Sequence, residues 1–180
     1  VLENIAKHKN KKHFVYGRYR QEVDALACAL ETQFGYATVQ PVVGKILNTN
    51  DGNRLDTKAT LDLARRQGKG MKYLRIYAPP AKAGNKTSYY NPSSWPGYIV
   101  KKMWNNPENT HGDLFQVLLG TDENLKGIDL KDTPIVHQIG EFESQLALTQ
   151  FDGRSVRSRS MCGYEATVQG QEVTKYVYAL

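Results

Sequence analysis

The sequence predicts an α+β fold on three observations. An apolar stripe at helical spacing lies near the N-terminus, a second capped helical stretch follows in the middle, and the last third alternates apolar and polar residues between turn dipeptides. In the first helix, Tyr19 to Phe34, the residues Val23, Leu26, Ala27, Leu30 and Phe34 recur three and four apart, and Gly35 stands where a left-handed cap belongs. Cys28 lies within this helix beside alanines and reads as a buried, inert thiol. The second helix, Thr57 to Gln67, has Asp56 as N-cap and Gly68 as its stop. In the last third, Ile135–Gln150 reads as one or two strands, Asp152-Gly153 as a hairpin turn into Ser155–Gln169, and Gly170 as a second turn into Glu172–Leu180. The expected architecture is therefore two N-terminal helices with short strands, packed on a C-terminal antiparallel β-meander, with a long irregular basic and aromatic loop between them.

The remaining elements are shorter. Residues 1–13 read as a basic N-terminal arm, and 14–180 as one domain with an extended loop at about 78–97. Phe14–Tyr16 is a short strand. Tyr36–Leu47 is β-branched and interrupted by Pro41, and Met71–Tyr77 alternates as a strand until Pro79-Pro80 ends it. Gly97–Asn105 reads as a short third helix, and Leu114–Leu119 is an apolar run of either type. With 180 residues, 40% of them hydrophobic, the chain can bury a core without a disulfide or metal. Cys28 and Cys162 form no C-x-x-C, which favours reduced thiols in an intracellular setting. No apolar run is long enough to span a membrane, and Val1–Lys12 lacks the apolar centre of a signal peptide. The chain opens on Val1 rather than Met, as a processed form or a fragment does.

Charge is distributed unevenly. Residues 1–104 hold 18 Lys and Arg against 7 Asp and Glu, whereas residues 105–180 hold 6 against 11. The basic excess is sharpest in Leu63–Pro107, which contains no Asp or Glu. Its cations are Arg65, Arg66, Lys69, Lys72, Arg75, Lys82, Lys86, Lys101 and Lys102, and between them stand Tyr73, Tyr77, Tyr89, Tyr90, Trp95, Tyr98 and Trp104. Cations neutralise phosphates and flat rings stack on bases, so the expected function is a non-enzymatic binding module for a polyanion, most plausibly nucleic acid. The alternative is a structural linker or coat-like subunit of a large assembly, whose Tyr- and Trp-rich arm packs on neighbouring subunits.

Chemical motifs add little. Within Lys69–Tyr77, only Lys69, Gly70, Tyr73 and Leu74 fit the RNA-binding signature strand, and Met71 replaces a stacking aromatic. Gly68-Lys69-Gly70 lacks the spacing and the following Ser or Thr of a phosphate loop, and Gly68 serves equally as a helix cap. His8, His13, His111 and His137 show no metal-ligand spacing. His137, Glu141 and Glu143 share a strand face, more in the manner of an exposed edge than of an acid–base pair. Ser155, Ser158 and Ser160 have no nucleophile elbow. Arg154, Arg157 and Arg159 form a basic cluster in the acidic third, and Asn85-Lys86-Thr87 is a glycosylation acceptor only in a secreted chain. No cofactor is expected. The composition of Ala81–Pro96 predicts a segment that orders only against a partner. Limited proteolysis of the isolated chain should therefore cut first near Lys82 or Lys86, and a first cut elsewhere with this segment intact would show it packed.

Overall fold

The computed structural model describes residues 1–41, 43–45, 53–68, 71–76, 95–121, 128–140 and 173–179. Within them lie α1 (Leu2–Lys7), β1 (His13–Gly17), α2 (Arg20–Phe34), β2 (Ala37–Thr38), β3 (Val43–Lys45), β4 (Asn53–Leu55), α3 (Thr57–Arg66), β5 (Lys72–Arg75), α4 (Trp95–Ile99), β6 (Val117–Thr121), β7 (Ile135–Ile139) and β8 (Thr174–Tyr178). Six strands form one sheet in the order β2–β5–β6–β1–β7–β8, and every neighbouring pair is parallel. β3 and β4 form a separate antiparallel pair.

This is an α/β fold and corrects the α+β expectation. The C-terminal strands are not an antiparallel meander: β7 lies parallel to both β1 and β8, with His137 opposite Val15 on one side and Tyr176 on the other. A parallel neighbour has to be reached by a crossover rather than a hairpin, so β7 and β8 are not antiparallel members of a meander. The hairpin expected over Ser155–Gln169 falls outside the described residues, as do Ala81–Tyr90, Arg154, Arg157, Arg159, Glu141 and Glu143.

Central strands of a parallel sheet are covered on both faces, and their burial reads accordingly. All five residues of β1, β6 and β7 are buried. Side chains alternate between two cores. On one face Val15, Val117, Leu119, Ile139 and Tyr73 pack under α1 and α2, through Ile5, Val23, Ala27 and Leu30. On the other, Phe14, Tyr16, Leu118, Leu74 and Val136 pack under α3, α4 and the segment at Ile128–Leu130, through Leu61, Ala64, Met103 and Trp104. The chain crosses from β1 to β2 in one direction and returns through β5 to β6 in the other. Right-handed crossovers then put the two helix sets on opposite faces.

Local chemistry fixes the helix ends. Glu22 accepts the Tyr19 N–H at 3.2 Å in the first turn of α2. Gly35 closes that helix at φ 67°, and the Tyr36 N–H reaches back to the Leu30 carbonyl. The Asp56 side chain caps α3 by accepting the Ala59 N–H at 2.9 Å. α4 runs on into a π-helical turn, Val100–Trp104, in which the Asn105 N–H bonds Val100 five residues back at 2.8 Å. Residues 1–13, expected as an arm, contain α1 with Ile5 buried, and His13 begins β1. Cys28 is exposed, which corrects its reading as a buried thiol. No helix among the described residues is long and apolar enough to cross a membrane.

Leu30 is wholly buried between α2 and the sheet. Leu30→Ala should lower stability by about 2–5 kcal/mol through lost burial and a residual cavity. Cys28→Ala, on the exposed face of the same helix, should stay within about 0.5 kcal/mol. Urea unfolding followed by circular dichroism measures both. Equal, small effects would show that α2 does not anchor the core.

Candidate polyanion-binding edge

In a sheet whose strands all run one way, every strand end lies on one edge, and ligands of such sheets bind outside the carboxyl ends where the direction of connection reverses. Here the chain leaves β1 toward β2 on one side, and the strand after β7 is β8 on the other. The reversal therefore falls between β1 and β7. At that edge stand the turn Gly17-Arg18-Tyr19-Arg20, Arg75 at the end of β5, Thr121 at the end of β6, and Gly140 just past β7.

The turn after β1 is tight because α2 begins at once. A Cβ on Gly17 would stand 2.9 Å from both Glu22 Oε2 and Val23 Cγ2, so only glycine lets the helix approach this closely. Of the two residues that follow, Arg18 is half-buried and Tyr19 faces solvent. Tyr19 is 53% exposed, and the Arg18 guanidinium lies 5.1 Å from the centre of its ring, a cation–π contact. Arg20 reaches Asp24 one helical turn on, with Nε 3.4 Å from Oδ2. The Glu22 carboxylate already takes the Tyr19 N–H. The turn thus offers guanidinium groups and a ring rather than a run of open backbone donors.

Arg75 stands at the same edge at the end of β5, with carboxylates beside it. Its guanidinium lies 3.4 Å from Asp24 Oδ1 and 4.0 Å from Glu31 Oε1, and it donates to the Tyr73 hydroxyl at 2.8 Å. Tyr73 in turn donates to Glu31. Burial, followed by the Glu31 carboxylate, raises the Tyr73 hydroxyl above its ordinary range. On the opposite face of the sheet, Tyr16 donates to Gln138 Oε1 at 3.1 Å, and Gln138 donates to the Gly140 carbonyl at 3.2 Å. These bonds tie the ends of β1 and β7 together below the reversal.

The sequence-predicted residues divide between this edge, other surfaces and the core. Arg75 lies at the edge, and Tyr73 beneath it is buried. Lys72 is buried at the start of β5, donates to the Gly68 carbonyl, and is lowered in pKa by desolvation. Trp104 is wholly buried, its indole N–H donating to Thr133 Oγ1 at 2.8 Å. Arg65 and Arg66 close α3 on the surface, and Arg65 pairs with Asp62 at 2.5 Å and Glu108 at 2.8 Å. Tyr98 is 40% exposed, 3.2 Å from the Thr57 hydroxyl, and Lys101 and Lys102 are exposed on the π turn. Trp95 opens α4. Lys69, Tyr77, Lys82, Lys86, Tyr89 and Tyr90 lie outside the described residues.

Sequence reasoning passed over Gly17–Arg20. The signal was present: a small residue and two arginines directly between a strand and the strongest helix. It carries weight only once the strands are known to be parallel. No group of three or more potential metal ligands occurs among the described residues. The chain matches no family model, no curated protein and no solved structure.

Proposed function

We propose that this chain is a nucleic-acid-binding α/β domain that receives the phosphodiester backbone along the carboxyl edge of its sheet. The observation that carries this reading is the turn after β1, which sets Arg18, Tyr19 and Arg20 at the point where strand connections reverse. Guanidinium groups suit phosphate oxygens, and an exposed ring beside them suits an unpaired base. Arg75, from the basic, aromatic segment Leu63–Pro107, ends β5 at the same edge, which adds a third arginine beside the turn.

A second reading, a nucleoside triphosphate at the same reversal, is favoured by the sheet topology itself, since this is where such sheets hold nucleotides. The sequence contains no glycine-rich phosphate loop with its lysine. On this reading the chain would lend arginines to a nucleotide whose phosphates are cradled by another domain.

Binding of a fluorescent single-stranded oligonucleotide across a salt series tests the first reading. Each phosphate contact contributes about −0.7 to the log–log slope. Joint replacement Arg18→Ala and Arg20→Ala should flatten the slope by about 1.4, while Tyr19→Ala should weaken binding by about 1–3 kcal/mol with the slope unchanged. Absence of oligonucleotide binding by the parent chain at about 50 mM salt, the range where phosphate contacts are strongest, overturns the reading. Retained binding of a fluorescent ATP analogue in that case would favour the second.

A further inference from the structure

A separate buried constellation lies on the α1 side of the sheet, at the opposite end of β1. His13 Nδ1 is 3.0 Å from His137 Nε2, and His13 Nε2 is 3.0 Å from the His8 carbonyl oxygen. His137 Nδ1 is 2.9 Å from the Tyr178 hydroxyl, to which Asn4 Nδ2 donates at 2.9 Å. The rings are stacked: His13 on His137 with centroids 5.3 Å apart, and His137 on Tyr176 also at 5.3 Å. Both histidines are completely buried.

The direction of every bond follows from its ends. A carbonyl only accepts, so His13 carries its proton on Nε2 and presents Nδ1 as an acceptor. His137 must then donate from Nε2, leaving its own Nδ1 to accept from the Tyr178 hydroxyl, whose oxygen accepts from Asn4. With both rings neutral the chain Asn4 → Tyr178 → His137 → His13 → His8 runs unbroken in one direction. It joins α1, the central strand β1, β7 and the edge strand β8.

We propose that this hydrogen-bond chain is an acid-sensitive latch that fastens α1 and the edge strand β8 to the centre of the sheet. One added proton turns the His137–Tyr178 bond round, so the Tyr178 hydroxyl loses its acceptor on His137 and a cation is held in a buried site. A second sets the His13 Nδ1–H against the His137 Nε2–H, donor against donor. Surrounding charge reinforces this. The groups acting on the rings are the Val1 amine and His8 from α1 and its end, Lys11 from the following turn, and His13 on His137, all positive when charged. β8 contributes Tyr176 and Tyr178, which are neutral. Glu3 acts on the Val1 amine.

Burial is the largest cause of a lowered pKa for both rings, to about 4 for His13 and about 3 for His137, from an ordinary 6.5. A depressed folded value means that the unfolded chain binds the extra protons first. The contribution is therefore present above pH 6.5 and is lost as pH falls from there through 4 and then 3.

Two measurements on the whole chain test the latch. Nitrogen-detected imidazole NMR should show both rings as Nε2–H tautomers at pH 7, with no titration near the ordinary histidine value. Hydrogen exchange by mass spectrometry, corrected for intrinsic rate, should show α1 and β8 losing protection between about pH 6 and 4 before β6 does. Tyr178→Phe keeps both rings and the edge strand but removes the hydroxyl, and it should loosen α1 already at pH 7. If that variant does not fold, the parent's exchange profile decides alone. Titration of either ring near 6.5 in the folded chain, or loss of α1, β8 and β6 protection together, overturns the proposal.

Discussion

Everything in this structure depends on β1 being bonded on both sides in parallel, to β6 and to β7. A strand so placed has no solvent face, because each neighbour must be reached by a crossover and each crossover covers a face. The two cores follow from this. Phe14 and Tyr16 demand cover from α3, α4 and Trp104, while Val15 demands it from α1 and α2. Gly17 and Gly120 show how closely that cover is fitted. A Cβ on Gly120 would stand 3.0 Å from Ile76 Cδ1 and 3.2 Å from Phe14 Cε2, so β6 stays small where its neighbours are large.

Half of this was written locally in the sequence and half was not. α2 and α3 were legible because a helix carries its own period and its own caps: Val23, Leu26, Ala27 and Leu30 mark one face, and Asp56 and Gly35 mark ends. Strand direction has no such local mark. Val117–Thr121 and Ile135–Ile139 are short apolar runs that read alike whether parallel or antiparallel, and the Asp152-Gly153 turn signal pulled the reading toward a meander. The binding edge failed to show for the same reason, since Gly17–Arg20 and Arg75 meet only through strand order. His13 and His137, 124 positions apart, likewise form a pair that no spacing rule detects.

The basic excess of the sequence also overstates what a partner would meet. Lys12 is wholly buried, donating to the carbonyls of Trp104 at 2.9 Å and Lys131 at 2.8 Å and lying 4.6 Å from the centre of the Trp104 ring. Desolvation lowers it to about 7, with Asp132 opposing the shift. Lys72 is similarly spent on a backbone carbonyl, and Arg65 on two carboxylates. These cations organise the amino edge of the sheet, where Asn109 Oδ1 also accepts the N–H groups of Leu114 and Phe115 at 3.1 and 2.8 Å. Charge read along a chain counts such residues as surface, and only their surroundings show that they are not.

The place of β1 in the chain has a consequence for biosynthesis. The strand that both cores require is made before its partners, from Val117 and Ile135 onward, which follow it by more than a hundred residues. At ribosomal speeds of about 5–20 residues per second, Phe14, Val15 and Tyr16 wait on the order of ten seconds for the strands that bury them. During that interval the nascent chain exposes the apolar run Phe14–Tyr16 with Lys11 and Lys12 before it and Arg18 and Arg20 after it. A basic flank of this kind resists self-association while the sheet is incomplete, so the charges around β1 have a use before any partner is met.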